Sequence, residues 1–427
     1  MSQTDSNILA KKKVLFLCHG YAVHAFRRIS IFTEDESFDV TVVSNYDYKF
    51  NNAKNILLNA SLYGKSHTDP TSEQNNTKPN KKTWFSTITT FISKIPFLFN
   101  FLLFIYDIYL VIMHLIILKR TVRKNQPDVI FLQTLLYPSY LSYFLPKGIP
   151  MIVTFWNGDI IWWAKWNGIE RYFKKKIVSY GIRRAHAITV NSQSAYDICL
   201  DYNIDKQKVN LIRYPGIDLD IFKKLDKSHA KNELGIFSKK VVLCPRGYKR
   251  EDDYLNNDII LEAAMRLSKS NQDLLFLFVG INENKEWQEF YNSTENKQFI
   301  NNFRNDGSVP FDKMPIYYAA ADVVVSISSN DSQPNCMLEA MACKTPIILG
   351  DIPQIKEWIT DKENGFIVPC RSAYKLALTI DMVLKISTAE LSPIIEKSYA
   401  VVGEKADQLK NIALIKSLVK NLDNQAK

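Results

Sequence analysis

Apolar residues in this chain fall into short unbroken runs separated by longer stretches of helical period. The runs Val14–Cys18, Val40–Ser44, Val129–Gln133, Ile152–Trp156, Ala187–Asn191 and Asn210–Ile212 form one set. Val241–Cys244, Leu274–Gly280, Val323–Ser328 and Pro346–Gly350 form another. Most are Val, Ile, Leu and Phe without interruption, the pattern of strands covered on both faces rather than strands with one wet face. Helical patterns lie between them, as at Asp258–Ser268 and Pro334–Cys343. Alternating β and α elements predict parallel sheets flanked by helices, and two sets predict two doubly wound α/β domains. Tyr214-Pro215-Gly216 punctuates the join, giving a first domain over 1–213 and a second over 214–404. No internal repeat of solenoid period is present.

Two segments depart from that rhythm. Gly64 to Thr83 carries no large apolar residue and reads as a surface loop, with gating of a substrate as its functional alternative. Ile95 to Leu118 is the most hydrophobic stretch and is long enough to cross a bilayer. Asn100, Asp107 and His114 recur in it every seventh residue, on one helical stripe, and an Asp in mid-span is costly in lipid. Lys119-Arg120 and Arg123-Lys124 follow at once. The expectation is an amphipathic helix packed on the sheet with an apolar face available to a membrane; an ordinary core helix is the alternative.

Composition narrows the chemistry. The 427 residues include 54 Lys and Arg against 44 Asp and Glu, a net charge of +10 that favours anionic partners. The six cysteines form no CxxC pair and the six histidines no HExxH, which excludes a zinc ribbon and a small disulfide scaffold and leaves a metal without support. Val14–Cys18 after Lys11-Lys12-Lys13 is too short for a secretory core and reads as a first strand. Reduced thiols fit a cytoplasmic location.

The densest chemistry lies in Ser328-Ser329-Asn330-Asp331-Ser332-Gln333-Pro334-Asn335-Cys336-Met337-Leu338-Glu339-Ala340-Met341-Ala342-Cys343. A strand runs into a polar loop and then a helix with Pro334 at its start, where open amides and the positive dipole suit a diphosphate. Asp331 precedes the helix and Glu339 lies inside it, so two carboxylates can face one cleft with different tasks.

This segment resembles the carboxylate-x7-carboxylate motif of the retaining family 4 glycosyltransferases (glycosyl transferases group 1), which have the GT-B fold: two Rossmann-like parallel-sheet domains facing across a cleft. Seven residues separate Asp331 from Glu339, as in that family, and Pro346-Ile347-Ile348-Leu349, Asp351, Ile355, Glu357 and Asn364-Gly365-Phe366-Ile367-Val368-Pro369 extend the likeness. Two positions depart from it: Asp331 stands where Glu is usual, one methylene shorter, and Lys344 replaces a usual Gly.

The resemblance implies roles. Cys244-Pro245-Arg246-Gly247-Tyr248-Lys249-Arg250 is similar to the basic loop that neutralises a donor diphosphate, with Arg246 the better-matched cation and the second either Lys249 or Arg250. A departing nucleoside diphosphate gains negative charge, and cations and helix amides must stabilise it when no metal does. Glu339 is implied at the ribose and Asp331 at the donor sugar, with Arg246 the third catalytic candidate. Ser332, Gln333, Pro334, Asn335, Cys336, Met337 and Leu338 are implied around the donor. Gly20, after the first strand, is similar to a loop that approaches the phosphates, and Gly280 ends a strand where the base-binding loop begins. Lys313 to Asp322 resembles the helix before the motif strand, with a structural role. The C-terminal stretch 405–427 is implied to pack back on the first domain.

Thr154-Phe155-Trp156-Asn157-Gly158-Asp159 sits where many members have His-Gly-Ser-Asp, so Trp156 replaces an imidazole that contacts the sugar, and Asp159 is a candidate on the acceptor side. Trp162, Trp163 and Trp166 precede Arg171, Lys174, Lys175, Lys176, Arg183 and Arg184, a pairing suited to an anionic membrane surface. The expectation is therefore a glycosyltransferase moving a hexosyl- or N-acetylhexosaminyl-type sugar from a nucleotide-sugar donor to a glycan or lipid-linked glycan acceptor. The resemblance implies retention of configuration, no cofactor and no metal. The expected place is the cytosolic face of the plasma membrane, peripherally, in bacterial surface-polysaccharide (lipopolysaccharide or capsule) synthesis. The alternatives are a degenerate GT-B protein that binds a nucleotide sugar or a partner enzyme without turnover, and a nucleic-acid binder. The latter is disfavoured because no binding motif is present and the basic residues adjoin Trp and apolar helices.

Overall fold

The structure is a computed structural model that describes the chain outside residues 1–10, 19–22, 46–48, 59–95, 135–138, 157–167, 202–203, 238, 248–253, 281–288, 291, 294–296, 332 and 423–427. It separates into two compact units, residues 1–189 with 417–427 and residues 190–416. The expected Gly64–Thr83 loop lies outside the described residues.

The first sheet is built from β1 (Lys12–Cys18), β2 (Phe38–Ser44), β3 (Ala53–Leu57), β4 (Val129–Leu132), β5 (Met151–Phe155), β6 (Ala187–Val190) and β7 (Val209–Leu211). Its order is β3-β2-β1-β4-β5-β6-β7. The pairs given for β1 with β2 and β4, and for β4 with β5, are parallel, with Leu15 opposite Ile130. The apolar runs become strands because both faces are covered: every residue of β4, β5 and β6 is buried. Strand β3 was not legible, since its sequence AKNIL is polar and lies at the sheet edge, where only part of it is covered. Within this unit the C-terminal segment contributes Lys420, whose ammonium lies 5.4 Å from the centre of the Phe38 ring.

The second sheet contains β8 (Lys240–Cys244), β9 (Leu274–Phe278), β10 (Phe303–Asn305), β11 (Val323–Ser326), β12 (Ile347–Gly350) and β13 (Phe366–Val368), in the order β10-β9-β8-β11-β12-β13, all parallel. Alternate side chains feed two separate cores. Val241, Leu243, Ile347 and Leu349 join one, while Val242, Cys244 and Ile348 join the other. That two-residue period with apolar groups on both sides explains the unbroken runs in the sequence. The strand order reverses between β8 and β11, so the loops leaving their carboxyl ends diverge and open a crevice.

The apolar stretch near residue 100 forms one helix, Pro96–Asn125. No helix among the described residues is long and apolar enough to cross a membrane. The helix has an outward apolar face: Ile108, Tyr109 and Ile112 are exposed, while His114 is buried with Leu118, Thr121 and Val122. The side chains of Asn100 and Asp107 lie outside those described.

Candidate functional site

The loops after β8 and β11 meet in the second unit. β8 ends at Cys244, and Pro245-Arg246-Gly247 follows; β11 ends at Ser326, and the polar loop Ser328 to Gln333 follows. Because the strands are neighbours, the side chains leaving them converge. Arg246 Nη1 donates to Asp331 Oδ2 at 2.6 Å and lies 3.4 Å from Ser328 Oγ. The other Asp331 oxygen accepts the Gln333 backbone N–H at 3.2 Å, closing an Asx turn just before the helix. Burial would lower the Arg246 pKa, but Cys336, charged only in strong alkali, together with the Asp331 charge and hydrogen bond, carries it above the ordinary arginine value. The guanidinium therefore stays charged in a half-buried place.

Two glycines let this loop sit where it does. Gly280, after β9, has φ +83°, and its own N–H donates to Gly307 O at 2.6 Å. A Cβ on Gly247 would lie 2.1 Å from Gly280 O, so the two backbones touch where any side chain would force them apart. Asn257 Nδ2 donates to Gly247 O at 3.0 Å and pins the same loop from the following helix.

The helix Asn335–Ala342 starts after Pro334, which supplies no side-chain cap. Its amino end follows the Asp331 turn, so it continues the loop that Arg246 contacts. Glu339 sits inside this helix and is 8 % exposed. Tyr318, on the helix Met314–Ala320, donates its phenol to Glu339 Oε2 at 2.6 Å. Burial, and then the Glu339 charge, push the Tyr318 pKa well above its ordinary value, so the phenol keeps its proton and the carboxylate is the acceptor. The two carboxylates thus stand in different surroundings: Asp331 against a cation, Glu339 against a neutral donor.

The remaining motif residues divide by burial. Gln333 is largely buried, with its amide nitrogen 3.5 Å from Arg213 O and its Oε1 without a hydrogen-bond partner among the described residues. Asn335 is half-buried at the helix start. Cys336 is buried and its thiol is pushed up to about 11 by burial, so it is a neutral packing group. The structure gives Met337 and Leu338 a packing role as well, since both are wholly buried in the core. Gly20, Asp159, Lys249, Arg250 and Ser332 lie outside the described residues, so the choice between Lys249 and Arg250 stays open.

Trp156 belongs to the first unit, at the end of β5. Its indole N–H donates to Gln133 O at 2.7 Å, and the Arg28 guanidinium lies 5.1 Å from its ring centre. Arg28 is buried and donates to Thr154 Oγ1 at 2.5 Å, and Thr189 Oγ1 donates to the same oxygen at 3.1 Å. The tryptophan that replaces a histidine is thereby held at the carboxyl ends of β4 and β5, beside the switch from β1 to β4.

A cavity of about 720 Å³ opens at the opposite ends of β8, β11 and β12. Its Lys227 and Lys344 are tied to Asp322 and Glu396 at 3.0 and 2.6 Å, so its size does not mark the chemistry. Among the described residues no three or more His, Cys, Asp or Glu side chains converge in a way that could hold a metal. Sequence reasoning missed Tyr318 as a functional residue. The available signal was a tyrosine on a wholly apolar helix, whose hydroxyl must find a partner when buried. Ser328 carried no such signal.

The chain is similar to known proteins in both of its halves. Residues 230–418 match the family model described as Glycosyl transferases group 1, and residues 76–221 match that described as Glycosyltransferase Family 4. A D-inositol 3-phosphate glycosyltransferase of Geodermatophilus obscurus is 28 % identical over 193 residues, 43 % of this chain and 42 % of that protein. The chain thus spans less than half the length of the curated relatives it matches. Among solved structures, a glycosyltransferase of Rickettsia africae superposes with a TM-score of 0.67 at 17 % identity, covering 96 % of this chain and 98 % of the other. Anabaena HepE in complex with UDP gives 0.67 at 16 %, covering 96 % and 100 %. These likenesses show the GT-B fold.

Proposed function

We propose that this chain, a member of the group 1 and family 4 glycosyltransferases, moves a hexosyl- or N-acetylhexosaminyl-type sugar from a nucleotide-sugar donor to a glycan acceptor with retention of configuration. The observation that carries this reading is the meeting of Arg246, Asp331 and an uncapped helix start at the β8/β11 switch, with the Tyr318-held Glu339 inside that same helix. A diphosphate group placed there meets a fixed guanidinium and backbone amides, both preorganised for the charge that grows as it leaves. Glu339, an acceptor held in place by Tyr318, suits the hydroxyls of a ribose.

In the reaction, the bond between the anomeric carbon and the diphosphate oxygen breaks and a bond to the acceptor oxygen forms on the same face. The acceptor proton passes to the departing diphosphate, so no side chain is assigned as general base. Arg246 and the helix amides stabilise that diphosphate. Asp331 fixes Arg246 and faces the sugar with a carboxylate one methylene shorter than the family's usual Glu. No resident cofactor or metal is assigned.

The acceptor is proposed to be a lipid-linked glycan at the cytosolic face of the plasma membrane, where the protein would sit peripherally in surface-polysaccharide synthesis. The basic balance of the chain and the cations in the last turns of the Pro96–Asn125 helix support this part of the reading.

One observation favours a second reading. Both Asp331 oxygens are engaged inside the protein, by Arg246 and by the Gln333 amide, as in a degenerate site that binds donor without turnover. Incubation with a panel of UDP- and GDP-sugars, UDP-glucose first because Anabaena HepE was solved with it, separates the two. Slow release of nucleoside diphosphate in wild type, reduced in Arg246→Ala, supports an enzyme. Binding without release in the presence of membrane lipid extract supports the binder.

A further inference from the structure

We propose that the outer face of the Pro96–Asn125 helix, with the basic clefts on either side of its last turns, docks the protein on an anionic phospholipid bilayer. The inference rests on the proposed lipid-linked acceptor only for its purpose; the surface itself is argued from the residues below.

The helix has two contrasting stripes. His114, Leu118, Thr121 and Val122 are buried and mark the face that packs on the protein. On the opposite face, Ile108 and Ile112 follow one another at helical spacing with Tyr109 beside them, and all three are 44 to 55 % exposed. Leu115 and Ile116 continue the stripe, half-buried. Then the stripe changes character within one turn, because Lys119, Arg120, Arg123 and Lys124 are all exposed. From Ile108 to Ile116 the apolar part runs about 12 Å, and the basic part begins one turn later. Exposed Ile and Tyr in a contiguous row are costly in water and mark a surface that is covered in use.

Two clefts flank the basic part. One, of about 690 Å³, is lined by Lys54, Arg120 and Lys124 over Ile56 and Ile117. The other, of about 430 Å³, is lined by Lys119, Arg123 and Lys147 beside Phe144. Among the described residues neither wall includes a carboxylate. Lys54 is shared with Asp39 at 2.9 Å, so the second cleft carries the less compensated charge. Its rim is fixed, because Arg184 donates to Ser142 O and to Pro146 O, each at 2.7 Å, and Phe144 is 57 % exposed.

An apolar stripe ending in a basic band, with cation-walled clefts beside it, matches a leaflet surface: phosphates at the level of the cations and acyl chains below. A nucleic acid has no use for the aliphatic stripe, and a water-soluble anion has none either. The helix would therefore enter tilted, with Ile108 and Ile112 below the phosphates and Lys119 to Lys124 among them.

The test is flotation of the full chain with vesicles of phosphatidylglycerol and phosphatidylcholine, against phosphatidylcholine alone, at low and high salt. The variants are Lys119→Glu with Arg123→Glu, and Ile108→Ser with Ile112→Ser. Lys375→Glu with Lys397→Glu, exposed positions on the second unit, is the charge-matched control. Wild type and control are expected to float with the anionic vesicles only. The charge variant should lose at least about tenfold in affinity. The serine variant should bind at low salt but be released by high salt. Circular dichroism confirms that each variant is folded.

Binding of both surface variants as tightly as wild type overturns the assignment, as does equal binding to neutral vesicles or none at all. Dimerisation that Ile108→Ser abolishes, without vesicle binding, overturns it in favour of a second copy. Release of nucleoside diphosphate is measured in parallel without vesicles. Its loss with vesicle binding intact counts against the proposed enzyme alone, and the reverse counts against the docking surface alone.

Discussion

Arg246 and Asp331 join the ends of two neighbouring parallel strands through a 2.6 Å contact, 85 residues apart in sequence. The pair holds a charged guanidinium in a half-buried place through Nη1, and among the described residues its other N–H groups have no hydrogen-bond partner. Their side chains are 26 % and 15 % exposed, so solvent screens the attraction only in part.

Removing either partner should have unequal effects. Arg246→Ala is expected to lower turnover of a nucleotide-sugar donor by about 10²- to 10³-fold, the loss typical of one preorganised charge at a leaving group. Asp331→Ala leaves the guanidinium without its carboxylate and should also lower stability by about 1–3 kcal/mol. Donor hydrolysis and urea unfolding of both variants check this. Stability equal to wild type in Asp331→Ala would contradict the pairing.

Tyr318→Phe removes one hydroxyl and leaves a buried Glu339 oxygen short of a donor. The expected cost is about 1–3 kcal/mol, read as a lower melting temperature. Glu339→Gln restores a neutral partner for the phenol, so it should retain more stability than Tyr318→Phe while losing nucleotide affinity.

Gly280→Ala should destabilise by about 1–2 kcal/mol, because φ +83° places a Cβ in a strained backbone region. Its Cβ also meets Gly247 N at 3.2 Å, so the Arg246 loop must shift and donor affinity should fall with stability. An alanine with unaltered donor affinity would show that the glycine serves the turn alone.

The ordinary reading of the chain recovered the two parallel sheets because their central strands are buried on both faces and appear as unbroken apolar runs. Three of the four sheet edges were not legible: Ala53–Leu57 is polar, and Phe303–Asn305 and Phe366–Val368 are three residues each, whereas Val209–Leu211 at the fourth edge fell in one of the runs. The carboxylate pair was visible through its spacing on a loop and helix. Its surroundings were not, since the Tyr318–Glu339 bond joins residues of two separate helices and depends on how those helices pack. The Pro96–Asn125 helix carries an outward apolar face at Ile108 and Ile112, as its apolar stretch suggested; the side taken by His114, which packs inward, was not legible from spacing alone.

Asp322 should contribute to the pH dependence of stability in the second unit. Burial opposes the Asp322 charge, but Lys227, Lys231 and the Val241 amide outweigh it and lower its pKa. A carboxylate whose folded pKa is depressed stabilises fully above its unfolded value of about 4, and that contribution is lost as pH falls through the folded value. Wild type should therefore exceed Asp322→Asn in stability at neutral pH, with the gap closing below about pH 4. A gap independent of pH down to about pH 2 would contradict this.

Calorimetric titration of nucleoside diphosphates into wild type, Arg246→Ala and Glu339→Gln tests the β8/β11 site most directly. One diphosphate is expected to bind wild type selectively, with affinity falling at least about tenfold in each variant. Binding of equal strength in all three proteins would place the nucleotide elsewhere and contradict the site.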